Sequence, residues 1–200
     1  MDTRLYEIRW HGRGGQGAIT AAKILAHAAF LDGYQGVTAA PTFGAERRGA
    51  PVSASTRISR NPVMVVSQVE EPDAVVVLDQ TLLRYDDVTR GLRKGGWVIV
   101  NSQQEPEDLG IKGDFNVATA DATRVCRELG LTVAGQTVVN TAILGAFVSA
   151  TRLVDMPSVE QAVRDRFRGR AAGKNLAAIT RTHEITRVRR TTAGGGQACH

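Results

Sequence analysis

The densest chemistry in this chain is a glycine turn, Gly12-Arg13-Gly14-Gly15-Gln16-Gly17. Its spacing is G-x-G-x-x-G. It follows the alternating run Leu5–Trp10 and precedes an alanine-rich segment. Glycines placed this way let the backbone turn sharply and approach a phosphate, which the free amides and dipole of a helix N-terminus favour. The same spacing also suits a tight turn that needs positive φ and binds nothing. A dinucleotide site asks for more: an acid at the end of the second strand, about 20 residues on, to hold the ribose hydroxyls. Val37 to Thr42 offers none, Asp32 comes too early and Glu46 too late. No Lys-Ser or Lys-Thr follows the glycines, so the Walker phosphate loop is absent as well.

A second constellation is Glu46-Arg47-Arg48-Gly49. Adjacent arginines supply planar forks for a carboxylate or phosphate, and they serve equally as a surface ion pair with Glu46 or as a contact to a partner chain. If both loops sit at the carboxyl ends of parallel strands, they flank one anionic ligand. The remaining reactive residues offer little. His11 adjoins the turn as a polar residue at a strand end, and His27, His183 and His200 have no evident partners. Cys126 and Cys199 form no Cys-x-x-Cys pair, which argues against an iron–sulfur or structural zinc site and fits a reducing compartment. No Ser-His-Asp or Cys-His set is legible. The residues read as a binding module with no catalytic group of its own.

Positioning these loops requires strands and helices in alternation. Leu5–Trp10 reads as a strand, Gln16–Leu31 as a helix, Gln35–Ala40 as a second strand ended by Pro41, and Val52–Ser59 as a third. Ala74–Leu78 is a short apolar run suited to a central parallel strand. Asp79 then caps a helix over Gln80–Leu92, and Trp97–Asn101 and Phe115–Thr119 are further strands. Helices are expected over Asp121–Glu128, Thr137–Thr151, from Pro157-Ser158 onward, and Lys174–Ile185. The pattern predicts an α/β single domain: a doubly wound, mostly parallel sheet, mixed because Val52–Ser59 has no helix before it, with helices on both faces. The domain is expected over residues 1–190, with 191–200 a flexible tail.

With 200 residues, 42% hydrophobic and 22% charged, the chain can bury a core without staples. The longest apolar stretch, Thr141–Ala150, is too short for a membrane helix, which needs about 20 residues. The N-terminus mixes charges from the start, without a signal core, so a cytoplasmic location is expected. Charge is uneven: residues 1–150 hold 15 Lys/Arg against 16 Asp/Glu, residues 151–200 hold 10 against 4. The basic quarter suits nucleic acid, an acidic ligand or an acidic partner subunit, and equally a solvated set of arginines on helix faces; no nucleic-acid motif accompanies it.

Taken in order, several segments resemble one family. They are Gly12–Gly17, the alanine-rich helix, Phe43-Gly44-Ala45-Glu46-Arg47-Arg48-Gly49, Arg57-Ile58-Ser59, Asp73-Ala74, Gly95-Gly96, Asn140-Thr141-Ala142-Ile143-Leu144-Gly145-Ala146 and Lys174-Asn175-Leu176. Together they resemble the gamma subunit of 2-oxoacid:acceptor oxidoreductases over about residues 5–180. The resemblance implies oxidative decarboxylation of a 2-oxoacid with coenzyme A to acyl-CoA, carbon dioxide and reduced acceptor. It implies partners of alpha, beta and ferredoxin-like delta type, which carry thiamine diphosphate and iron–sulfur clusters, and an external ferredoxin or NAD-linked acceptor. It also implies that this chain helps bind or gate coenzyme A, through Gly12, Arg13, Gly14, Gly15, Gln16, Gly17, Glu46, Arg47, Arg48, Gly49 and Asn140. Nucleic acid and membrane are not expected partners. The chain departs from the family pattern at Gly49-Ala50, where Gly-Gly is usual, and at Asn140-Thr141, where Asn-Met is usual. Those departures favour an aromatic or otherwise specialised oxoacid over pyruvate. A stand-alone NAD(P)-dependent reductase and a nucleotide-binding regulatory protein are the competing readings.

Overall fold

Alternation along Leu5–Arg13 makes this segment the central strand, β1. Ile8 and Trp10 point to one face and are fully buried, while Glu7, Arg9 and His11 point to the other. The structure, a computed structural model, describes residues 4–42, 49–63, 67–85, 87–133 and 135–191. Helix α1 (Ala18–Leu31) follows the glycine turn. Next come β2 (Gly36–Pro41), β3 (Pro51–Ser59), β4 (Ala74–Val77), β5 (Trp97–Asn101) and β6 (Asn116–Ala120). After them lie α2 (Ala122–Glu128), a small hairpin of β7 (Thr132–Val133) and β8 (Gln136–Thr137), α3 (Ala142–Thr151), α4 (Met156–Arg166), α5 (Gly169–Glu184) and β9 (Arg187–Arg189).

Seven strands form one mixed sheet in the order β2-β3-β1-β4-β5-β6-β9. Its core, β1, β4, β5 and β6, is parallel, and β3 runs antiparallel to both of its neighbours. The expected single α/β domain with a mixed sheet forms, and its core is parallel, but three of the six strand pairings are antiparallel, and the α-helices expected on both faces all pack on one. Both faces are covered, but unequally. Buried side chains of all five α-helices join Ile8, Trp10, Val76, Leu78 and Ile99 in one large core. The alternate residues Val75, Val77, Val98, Val100 and Val117 meet Leu82, Val88 and Leu92 on the other face.

That second face explains the main departure from the predicted elements. Gln80–Leu92 is not a helix: a 3-10 turn covers Gln80–Arg84 only. Asp79 caps it, accepting from the Thr81 backbone. Farther on, Gly91 adopts φ 72 with its would-be Cβ 2.0 Å from the Glu70 carbonyl, a close approach that no continued helix permits. Likewise α3 starts at Ala142 rather than Thr137, because β-branched Thr132, Val133 and Thr137 are taken into the small hairpin. Strand β9, absent from the sequence reading, closes the β6 edge with two arginines and one valine, a charged edge that discourages further pairing.

Internal polar groups tie the layers together. Trp10 donates its indole N–H to Thr56 (2.9 Å), and Thr56 donates to the Ala22 carbonyl (3.1 Å), joining β1, β3 and α1. Arg57, only 3% exposed, donates to Glu7 at 2.8 Å and to the Ser67 carbonyl. Thr191, expected to begin the tail, bonds Asn116 and Asp114, and residues 192–200 lie outside those described. No helix is long and apolar enough to cross a membrane among the described residues.

Candidate functional site

The site grows from the carboxyl end of β1, where the chain must reverse into α1. Gly17 makes the reversal with φ 82 and ψ 34, the left-handed region that glycine enters without cost. A Cβ there would stand 2.5 Å from the Asn140 amide nitrogen, so Gly17 is also where Asn140 packs onto the turn. Asn140 is itself buried, and its side-chain oxygen accepts from the Thr141 amide. Within the turn, Gly14 N–H donates to the Ala50 carbonyl and Gln16 N–H to the Arg13 carbonyl, while Arg13 N–H donates to Gln16 Oε1. The amides of Gly15 and Gly17 have no such partner among the described residues. With the first turn of α1 they remain available to an anion.

Arg13 does not project freely into this space. Its guanidinium donates to Asp79 (3.0 Å), to Thr81 (2.8 Å) and to the Gly49 carbonyl (3.2 Å). Gln16 Nε2 donates to the same Asp79 oxygen. Partial burial alone would raise the Asp79 carboxyl, but the hydrogen bonds from Thr81, Gln16 and Arg13 outweigh it and hold it below its ordinary value. Asp79 is thus a fixed anion joining the ends of β1 and β4. Sequence reasoning saw it only as a helix cap, although its place directly after the buried run Ala74–Leu78 marked the carboxyl end of a central strand.

Beside this hub lies a polar cleft of about 380 Å³, over the ends of β4, β5 and β6. Gln16, Asn101, Asp121, Arg124 and Arg127 line it. Asn101 is fully engaged, donating to the Leu78 carbonyl and Thr123 and accepting from the Thr123 amide. Arg124 and Arg127 project from α2 and are exposed. Neither arginine was singled out from the sequence, because helix-borne arginines look alike until the strands beneath them are placed.

The structure brings Gly12, Arg13, Gly14, Gly15, Gln16, Gly17, Gly49 and Asn140 into one neighbourhood. Gly49 N–H donates to the Gly14 carbonyl, so Gly49 lies directly beside the turn. Glu46, Arg47 and Arg48 lie outside the described residues. The dinucleotide reading loses its geometry here. Strand β3 separates β2 from β1, which puts the end of β2 about 10 Å from β1, and no acid stands at Ala39-Ala40-Pro41.

Other reactive groups are structural. Cys126 is buried, which pushes its thiol up to about 12. Among the described residues no cluster of His, Cys, Asp and Glu could hold a metal ion. His11 accepts at Nε2 from Arg9 (3.1 Å), and burial followed by the Arg9 charge lowers its pKa from 6.5 to about 4. The unfolded chain therefore takes up a proton between those values that the native chain refuses. Stability is complete above about pH 6.5 and falls as pH drops through that window. Linkage gives a loss of roughly 2 kcal/mol between pH 7.5 and 5. Chemical denaturation at both pH values is expected to show it in the native chain, with most of the loss absent in His11→Asn. An equal loss in both chains would refute the assignment.

Residues 7–185 match the family described as pyruvate ferredoxin/flavodoxin oxidoreductase. The pyruvate/ketoisovalerate oxidoreductases common subunit gamma of Thermococcus litoralis is 49% identical over 187 residues, 92% of this chain and 98% of that one. A crystal structure of pyruvate oxidoreductase subunit PORC from Thermotoga maritima superposes with TM-score 0.79 at 34% identity, covering 92% of this chain and 98% of that chain. The fold alone recurs in 2-oxoglutarate:ferredoxin oxidoreductase from Magnetococcus marinus, solved with 2-oxoglutarate, coenzyme A and succinyl-CoA. There the TM-score is 0.72 at 17% identity, over 92% of this chain and 31% of that one.

Proposed function

The chain belongs to the pyruvate ferredoxin/flavodoxin oxidoreductase family, as a gamma subunit of a multi-subunit 2-oxoacid:ferredoxin oxidoreductase, and from that premise we propose that its glycine turn, together with Glu46, Arg47, Arg48 and Gly49, binds and gates coenzyme A. The reaction is oxidative decarboxylation of a 2-oxoacid to acyl-CoA, carbon dioxide and reduced acceptor. Thiamine diphosphate and iron–sulfur clusters supply the carbon–carbon cleavage and electron transfer from partner subunits of alpha, beta and delta type, in the cytoplasm. Its arginines at 164, 166, 168 and 170 are all exposed and suit acidic partner surfaces. The relatives are named for pyruvate and ketoisovalerate, so small aliphatic oxoacids replace the aromatic substrate that the departures at Gly49-Ala50 and Asn140-Thr141 favoured.

One observation carries the coenzyme A reading: Gly49, the residue that follows Arg47 and Arg48 in the sequence, is bonded to Gly14 in the turn whose Gly15 and Gly17 amides have no partner among the described residues. Coenzyme A carries several phosphate charges. Unpaired backbone amides and arginine forks are the groups that bind such an anion most strongly. In the assembled complex, the double change Arg47→Ala with Arg48→Ala is expected to raise the KM for coenzyme A about a hundredfold, since hydrogen bonds to charged groups are worth about 1.5–3 kcal/mol each. The KM for the 2-oxoacid should stay within about twofold. An unchanged KM for coenzyme A refutes the proposal.

A further inference from the structure

At the opposite end of the sheet, a second hollow of about 400 Å³ opens between the starts of β1, β4 and β5 and the end of α3. Small-ligand sites occupy roughly 300–1,000 Å³. The length of β1 puts this hollow roughly 25 Å from the glycine turn, so it is no part of the site above. Half-buried Trp97 and Tyr6 give the hollow its aromatic surface, with Arg4 already over the Tyr6 ring, and beneath them lie fully buried Ile8 and Phe147 and nearly buried Tyr34.

The rim is cationic. Arg4, Arg93, Lys94 and Arg152 face one carboxylate, Asp73, which Arg4 (2.6 Å) and Arg93 (3.4 Å) already cover. Lys94 pairs outward with Asp114. The Arg152 guanidinium has no hydrogen-bond or ion-pair partner among the described residues. Its backbone stands at φ 52 and ψ 24, and it is the sole non-glycine residue with positive φ among those described. Glycine ordinarily takes this left-handed position after a helix. A strained residue carrying an unpaired guanidinium at the mouth of an aromatic hollow has the marks of a ligand clamp.

We propose that this hollow binds a small aromatic anion, with a flat ring system against the aromatic surface and a carboxylate or phosphate at the Arg152 rim. Aromatic walls favour planar rings, and the guanidinium fork matches planar two-oxygen anions.

Calorimetric titration of the full chain with adenosine monophosphate, 2-naphthoate and adenosine tests this. At least one anion is expected to bind saturably, at one per chain, with neutral adenosine about tenfold weaker or more. Which anion binds tells a phosphate ligand from a carboxylate one. Arg152→Gly should weaken the anion about tenfold while raising the melting temperature, because glycine relieves the backbone, so loss of binding cannot be misread as unfolding. In NMR spectra the Trp97 indole N–H should move and that of buried Trp10 should not. Absence of saturable heat with both anions up to about 10 mM, equal affinity in Arg152→Gly, a shift at Trp10 alone, or loss of binding when the complex assembles would each overturn the proposal.

Discussion

Gly145→Ala is expected to destabilise the chain by about 2–3 kcal/mol, and Gly173→Ala to stabilise it by about 0.5–1 kcal/mol. Both residues lie inside helices, where alanine is the better helix former, so intrinsic propensity predicts the same sign for both. Packing reverses it at one of them. Gly145 lies where α3 crosses α5, and a Cβ would stand 2.1 Å from the Ile179 carbonyl and 2.8 Å from the His183 amide. These are backbone atoms of a helix that is itself packed in the core, so no rotamer change relieves the clash and the helices must separate. A Cβ on Gly173 meets nothing within 4 Å. In a domain of this size each kcal/mol moves the melting temperature by about 2–4 °C. The Gly145 variant should melt roughly 5–10 °C lower and the Gly173 variant slightly higher. A Gly145→Ala melting temperature equal to the native one would mean that α3 and α5 are not held at this distance.

Replacing Arg13 by methionine is expected to raise the KM for coenzyme A about tenfold in the assembled enzyme, with kcat changed by less than about twofold. Arg13 is read here as a positioning residue. Its three side-chain bonds run to Asp79, Thr81 and the Gly49 carbonyl, so removing the guanidinium unties Gly49 from the ends of β1 and β4. Methionine preserves the stem of the side chain and leaves Asp79 bonded by Gln16 and Thr81, which limits the stability cost to about 1–2 kcal/mol. Arg13→Lys keeps the charge but cannot span three acceptors in one plane, so it should fall between the two. A merely structural arginine would lower the melting temperature and leave the KM where it was, and that result would remove Arg13 from the coenzyme A reading. The same KM rise with methionine and lysine would assign the effect to the fork geometry and not to charge.

Much of the architecture was legible because local periodicity and burial agree. The alternation around Ile8 and Trp10, the unbroken run Ala74–Leu78 and the alanine spacing of α1 each specify one element, and tertiary packing had no reason to override them. The failures fall where a segment's partner is distant in sequence. Gln80–Leu92 carries enough leucine and valine for a helix, yet Leu82, Val88 and Leu92 separately cap the second face of the sheet, and the contact of Gly91 with Glu70 stops any regular turn. Strand β9 was invisible because Arg187-Val188-Arg189 pairs only once β6 offers its free edge.

The candidate site divides the same way. By itself the sequence determined that a glycine turn joins a strand to a helix and that the ordered motifs resemble one family's gamma subunit. These depend on residue identity and short spacing alone. Only the tertiary structure decided what the turn faces. Inserting β3 antiparallel between β1 and β2 moves the end of β2 away from the glycines, which removes the dinucleotide geometry, and brings Gly49 and Ala50 against Gly14 in its place. The same arrangement turns Arg13 from a free cation into a strut on Asp79. No local pattern encodes that exchange, because strand order is set by which faces and edges can be buried together across some 50 residues of chain.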